Sequence, residues 1–140
     1  MDEKNYRILD ANFNRAKEGL RVCEDIFRFV IEDEKTAKSL KEKRHKLSDV
    51  FFSLDVSKCF NSRDSNGDVG RPSTKVEFKR KDLKDVLLAN YQRVKESLRV
   101  LEEVLKLINV ELSQQCKEMR YDIYEDEKRI FEFSQNLSDS

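Results

Sequence analysis

Three glycines and one proline are all that this chain of 140 residues offers for turns, and it has no tryptophan. A sandwich or barrel of short strands needs turn residues at roughly every 8–12 positions, so the scarcity points to a few long helices. Cysteine is sparse too. Cys23, Cys59 and Cys116 are odd in number and widely spaced, with no CxxC pair. That excludes a finger or a disulfide framework, and reduced thiols in a cytoplasmic protein are the plain reading. Neither sign of charge is in excess, with 28 Lys+Arg against 28 Asp+Glu. A nucleic-acid binder normally carries a basic surplus, so none is expected here. The longest uncharged run, Val86 to Gln92, is far short of the roughly 20 residues of a membrane span. The start Met-Asp-Glu-Lys lacks the basic-then-apolar pattern of a signal peptide.

What is present is a core. Leu, Ile, Val and Phe make up 40 of the 140 residues. That is well above the level of roughly 20% below which a chain stays disordered. Ile8, Leu9, Phe13, Ala16, Leu20, Cys23, Phe27, Val30 and Ile31 recur in steps of three and four, which predicts a helix over about 4–31. A second helix is predicted over about 35–58, burying Leu40, Leu47, Val50, Phe51 and Leu54. Asp82 with Asp85 three later reads as a helix start, followed by the stripe Leu87, Tyr91, Val94, Leu98, Leu101, Leu105 and Ile108. After a break near 109–113, a last helix runs to about 134. The expected fold is all-α, a single domain over 1–140 in which about four main helices bury their apolar faces against one another. One long loop, at about 60–80, interrupts it. It holds two of the three glycines and the only proline, and loops of that length are often functional.

Residues 11–24 read ANFNRAKEGLRVCE, and residues 89–102 read ANYQRVKESLRVLE. Nine of these fourteen positions are identical at an offset of 78, and Lys43-Arg44 after the first copy is echoed by Met119-Arg120 after the second. The bundle therefore reads as an internal duplication of about 7–50 and 85–125, with pseudo-twofold symmetry. Gly19 in the first copy is Ser97 in the second, which removes one candidate point of close helix approach. Packing alone explains shared apolar positions. It explains shared polar ones less well. Asn12 and Arg15, and again Asn90 and Arg93, flank the apolar arc, where an amide and a guanidinium are costly unless paired or bound to something. Glu18, Arg21 and Glu24, with Glu96, Arg99 and Glu102, have the i,i+3 spacing of ion pairs on one helix surface. For these six, a solvated face and a binding site are equally good readings.

The loop reads Arg63-Asp64-Ser65-Asn66-Gly67-Asp68-Val69-Gly70-Arg71. Gly67 and Gly70 let backbone approach a ligand, Arg63 and Arg71 could face phosphate, and Asp64 and Asp68 could hold Mg²⁺ beside phosphates. The same residues are ordinary turn chemistry, and by pattern alone that reading is the stronger. The spacing fits neither an EF-hand nor a Walker loop. His45 is the only histidine, in a Lys-rich stretch beside Arg44, and a lone histidine with scattered cysteines does not make a zinc site. Glu102-Glu103 is followed by Lys106, so the paired ExxE motif of helical pyrophosphohydrolases is absent.

Taken together, LDANFNRAKEGLRVCED (9–25), Arg44-His45, RDSNGDVG (63–70) and LLANYQRVKESLRVLEE (87–103) resemble one family. It is the small all-helical hydroxymethylpyrimidine phosphate kinase of thiamine biosynthesis, a domain also found fused in front of thiamine-phosphate synthase. The resemblance spans about residues 7–120, and the chain looks like the standalone form. It implies ATP-dependent phosphorylation of 4-amino-5-hydroxymethyl-2-methylpyrimidine phosphate to the diphosphate, with ATP as co-substrate and a functional link to the synthase. The acceptor oxygen is already ionised at neutral pH, so positioning and charge neutralisation suffice and the scarcity of histidine is no objection. The expected site follows from the residues above. Arg15 and Arg93, with Asn12 and Asn90, would grip phosphates or pyrimidine in a cleft between the repeated helices. Arg21 and Arg99 would assist, and Arg44 or His45 would meet the acceptor phosphate. Arg63, Gly67 and Gly70 would cover the nucleotide phosphates. Asp64 and Asp68 would bring Mg²⁺, with Arg15, Arg93 and Asp64 the catalytic set.

Two rival readings stand beside this one. A helical ligand-binding or regulatory module with the same pocket would bind without turnover. A structural bundle would use the repeat for dimerisation, and a homodimer accords with the amphipathic helices and with Phe51, Phe52, Phe131 and Phe133 near helix ends. Cys23 and Cys116 are expected in the core.

Overall fold

The computed structural model describes residues 3–73 and 79–138, with residues 132–138 as backbone only. Five α-helices account for most of them, and no strand occurs among the described residues. Helix α1 (Glu3–Ile26) carries the first repeat copy. The apolar stripe continues past it, but the last turn, Phe27–Ile31, widens to π-helical pitch. This keeps Phe27 fully buried while Phe29 and Val30 face outward. Glu32 then takes a left-handed conformation (φ 59°), a place where glycine is usual and this glycine-poor chain has none.

Helix α2 (Glu34–Phe52) starts at Asp33, whose carboxylate accepts from the Thr36 amide (3.1 Å) and hydroxyl (2.7 Å). The helix expected over 35–58 is in fact two. After Phe52 the chain breaks at Ser53–Asp55, and a short α3 (Val56–Asn61) begins with Asp55 as its cap. The apolar period runs unbroken through Leu54 and so concealed the break. The Asp55 carboxylate accepts from the Ser57 hydroxyl at 2.7 Å, and this local bond re-aims the chain. The bend buries Cys59 and sends the following loop across α1.

Helix α4 (Leu83–Leu105) carries the second copy, and its predicted start is as expected. The Asp82 carboxylate accepts from the Asp85 amide (2.9 Å), and Asp85 accepts in return from the Lys81 amide (3.1 Å). The turn after it is capped by Asn109, whose side-chain oxygen accepts from the Glu111 and Leu112 amides (3.0 and 3.2 Å). Helix α5 (Val110–Ser138) follows. No helix among the described residues is long and apolar enough to cross a membrane.

The most extensive contacts are α1 with α4, α4 with α5, and α1 with α2, so the order across the bundle is α2–α1–α4–α5. Helices α1 and α4 run antiparallel. Cys23 reaches the Leu87 carbonyl (3.8 Å), whereas Gly19, a turn earlier, faces Val94 and Asn90. A Cβ on Gly19 would sit 2.8 Å from Val94 Cγ2 and 3.2 Å from the Asn90 carbonyl, so glycine is what lets the two repeat copies close on each other. Val94 is the second-copy counterpart of Ala16, and Ser97 of Gly19. The small residue at one crossing position is thus matched by the bulkier branched partner opposite. An ion pair, Lys43 to Asp126 (3.5 Å), ties α2 to α5. All three cysteines are free and buried. Burial pushes the Cys116 thiol up to about 12 and raises Cys23 further still, the behaviour of core residues and not of nucleophiles.

The duplication extends into the second arm of each pair, at an offset of 76. The Glu24 carboxylate, 3% exposed, accepts from Arg44 (3.1 Å). Glu102, 4% exposed, accepts from Arg120 through two nitrogens (3.0 and 3.2 Å) and from Arg99 (3.1 Å). Each helix pair is therefore knotted by a buried glutamate–arginine contact.

Candidate functional site

The cleft that matters lies on the outer side of α1, under the loop. Its volume is about 660 Å³. Helical periodicity builds one wall: Lys4, Arg7, Ala11, Arg15 and Glu18 follow at steps of three and four and share a face. Arg63, Asp64, Gly67 and Asp68 form the other.

Arg63 is the hinge pin. Its guanidinium grips the Asp10 carboxylate with two bonds, Nε to Oδ2 at 2.6 Å and Nη2 to Oδ1 at 2.8 Å. It also stacks over Phe60, its carbon 4.2 Å from the ring centroid. Asp10 itself is buried, and its bond holds the Arg63 pKa above the usual guanidinium range. A second tie runs from Arg7 Nη2 to the Asp64 carbonyl (3.0 Å). Beyond it the loop turns on its own carboxylates. Asp64 Oδ1 accepts from the Gly67 amide and Asp68 Oδ1 from the Gly70 amide, both at 2.9 Å. A Cβ on Gly67 would collide with the Asp64 carboxylate, whereas one on Gly70 would meet only Asp68 Oδ1 at 3.5 Å. Arg71 donates to the Asn66 side chain (2.6 Å).

The structure therefore brings together Asn12, Arg15, Arg63, Asp64, Gly67 and Asp68. Asn12 is buried and donates to the Ile8 carbonyl (2.9 Å), an intrahelical bond that Asn90 repeats to the Val86 carbonyl (2.8 Å). The remaining expected residues lie elsewhere. The cleft does not sit between α1 and α4, because those helices are in close contact at Gly19. Asn90 and Arg93 do not line it, and Arg93 is exposed on α4. Arg21 pairs with Asp25 (3.4 Å), and Arg99 with Glu102 and Glu103 (3.1 and 3.5 Å). Arg44 is held by Glu24, and His45 is exposed on α2. Gly70 shapes the loop without facing the cleft. A smaller hollow on α4 and α5 contains Lys95, Arg99 and Arg120, but all three are paired with carboxylates.

Sequence reasoning missed Lys4, Arg7, Asp10 and Asn14 as cleft residues, and it left Glu18, which does line the cleft, open between a solvated face and a site. One signal was available for Asp10. The second copy has Leu88 at that place, so an aspartate had replaced a residue that packing alone would make apolar.

Electrostatically the cleft is mixed. Lys4 and Arg15 have no carboxylate partner among the described residues, and Arg7 spends only one donor on a carbonyl. Unpaired cations along a helix face suit phosphate oxygens. Asp64 and Asp68 each keep carboxylate capacity beyond the turn bond. No group of three acidic, histidine or cysteine side chains among the described residues forms a self-sufficient metal cage. Two carboxylates do fit Mg²⁺ when phosphates complete the shell, which is how that ion is usually held.

A sequence model of the ThiD2 family matches residues 7–129. Curated relatives include the thiamine-phosphate synthase of Nostoc punctiforme, 42% identical over 120 residues, covering 85% of this chain and 33% of the relative. That of Synechocystis is 42% identical over 119 residues (84% and 34%). That of Rhodopirellula baltica is 40% identical over 119 residues (84% and 32%). The chain thus spans about a third of the length of the curated relatives it matches. No solved structure matches it.

Proposed function

The chain belongs to the ThiD2 family, and on that premise we propose that it is a hydroxymethylpyrimidine phosphate kinase of thiamine biosynthesis. The reaction would pass the γ-phosphoryl group of ATP to 4-amino-5-hydroxymethyl-2-methylpyrimidine phosphate. A phosphate oxygen of the acceptor bonds to the γ-phosphorus, the bond to the bridging oxygen of ADP breaks, and the pyrimidine diphosphate and ADP leave.

The observation that carries this reading is the row of cations on α1, Lys4, Arg7 and Arg15, facing the loop carboxylates Asp64 and Asp68 across one cleft. The acceptor needs no general base, since its oxygen is already an anion. What the reaction needs is two polyanions held end to end with their repulsion neutralised. Arg15 and its neighbours supply positive charge. Asp64 and Asp68 would hold Mg²⁺, which when bound would supply charge neutralisation for the nucleotide phosphates. Arg63, with both its Asp10-facing donors committed, keeps the loop in place and contributes less free charge than its sequence position suggests.

A site built on arginines rejects a ligand that leaves them unpaired. Coupled ADP release with ATP and Mg²⁺ should therefore show turnover of the pyrimidine phosphate and none of the free alcohol. Saturable binding of the phosphate without ADP release would make the chain a binding module. Equal turnover of the alcohol would remove the arginine row from acceptor recognition.

A further inference from the structure

The cleft has two chemically different ends, and we propose that they fix the direction in which the substrates lie. This rests on the kinase reading above. The nucleotide's phosphates occupy the Lys4–Arg7 end under the loop. The aminopyrimidine phosphate occupies the far end, with its phosphate on Arg15 and its exocyclic amine read by Asn14 and Glu18.

Lys4 and Glu18 are fourteen residues apart on one helix, about 21 Å along its axis. That is room for two ligands meeting head to head. The near end holds both signs of charge side by side. Lys4 and Arg7 offer donors, and the Arg7 bond to the Asp64 carbonyl (3.0 Å) brings Asp64 to the same height, with Asp68 lining the same cleft. A nucleoside triphosphate arrives with a divalent cation, so it needs donors for its oxygens and carboxylates for the metal it carries. This end also lies at the N-terminal pole of α1, which favours anions.

The far end carries one guanidinium and then acceptors. Asn14 spends its amide nitrogen on the Asp10 carbonyl (3.0 Å), which leaves its oxygen as the group free to bind. Glu18 is exposed and, when ionised, can only accept. An amide oxygen and a carboxylate next to an arginine suit a ligand with one phosphate and an amine. They repel a second polyphosphate. The Asp10–Arg63 fork lies between the two ends.

Calorimetric titration tests this without turnover, using magnesium tripolyphosphate for the donor, and the pyrimidine phosphate and its des-amino analogue for the acceptor. Lys4→Ala and Glu18→Ala both alter exposed side chains that make no bond among the described residues, so both should fold. Lys4→Ala should weaken tripolyphosphate about tenfold and leave the pyrimidine phosphate within about twofold. Glu18→Ala should weaken the pyrimidine phosphate about tenfold, leave tripolyphosphate alone, and abolish the preference for the amine over the des-amino analogue. The opposite pattern, with Lys4 governing the pyrimidine phosphate, overturns the orientation. Tripolyphosphate binding without pyrimidine phosphate binding by the unaltered protein overturns the kinase reading while keeping the donor end. Binding of neither overturns both.

Discussion

The two copies of the repeat share nine of fourteen residues yet differ in what surrounds them. On α1 the face beyond the apolar arc reads Lys4, Arg7, Asp10 and Arg15, and a loop is pinned across it. The matching positions on α4 are Asp82, Asp85, Leu88 and Arg93. There the acids are consumed in starting the helix. Inside the bundle the bias is reversed. Glu102 is bound by Arg120 through two nitrogens and by Arg99, whereas Glu24 has one close bond to Arg44 and only a 4.0 Å contact to Arg21. Duplication supplied one packing solution twice. The first copy carries the cleft, and the second carries the tighter internal knot.

The largest effects should come from that knot. Arg120→Met leaves Glu102 buried without its closest partner and should cost about 3–5 kcal/mol in denaturant unfolding. Arg44→Met in the first copy should cost about 2 kcal/mol, because solvent reaches Arg44 more readily. Equal losses would show that the two knots are equivalent despite their geometry.

Activity should be asymmetric in the other direction. Arg15→Ala should lower kcat/KM by about 10²–10³, the scale of losing one preorganised donor to developing charge. Arg93→Ala, altering an exposed residue away from the cleft, should stay within about twofold of the parent. If both variants lose activity alike, the site spans the two copies.

Much of this architecture could be read from residue order. The apolar period placed α1, the Asp82–Asp85 pair placed the start of α4, and the repeat called for matched helix pairs. The break at Ser53–Asp55 could not be read, because Val50, Phe51 and Leu54 keep helical spacing through it, and only the side chain of Asp55 marks the restart. The cleft was half legible. Its loop and Arg15 stood out by composition and repetition. The role of Arg63 did not, since its partner Asp10 is 53 residues away and lies just outside the repeated stretch. Periodicity sees one helix at a time, so it gave Arg15 and Arg93 equal weight. Only the loop's docking on α1 separates them.

A smaller effect should appear where the copies meet. Gly19→Ala puts a methyl group 2.8 Å from Val94 Cγ2 and 3.2 Å from a backbone carbonyl that cannot rotate away. The helices must separate slightly, at a cost of about 1–3 kcal/mol in unfolding free energy. Combining it with Val94→Ala should recover part of that loss, since the side-chain contact goes and the carbonyl contact stays. No recovery would mean that the Asn90 carbonyl alone sets the spacing of α1 and α4.

The smallest difference is one of titration. Helix α2 begins at Asp33 and α5 just after Asn109, equivalent positions at the offset of 76, so one cap can ionise and the other cannot. The Thr36 hydroxyl, and with it nearby amides, hold the Asp33 carboxyl below its usual range. A depressed folded-state pKa means that the unfolded chain takes up the proton first as pH falls. The cap's contribution is therefore complete above the ordinary carboxylate pKa and drains away as pH drops through that value towards the lower folded one. Asp33→Asn should keep most of the cap, changing stability at neutral pH by less than about 1 kcal/mol. Its stability should then fall less steeply than the parent's below about pH 4. Unfolding curves of the two proteins between neutral and acid pH decide the matter: if they run parallel throughout, Asp33 does not hold the start of α2 by its charge.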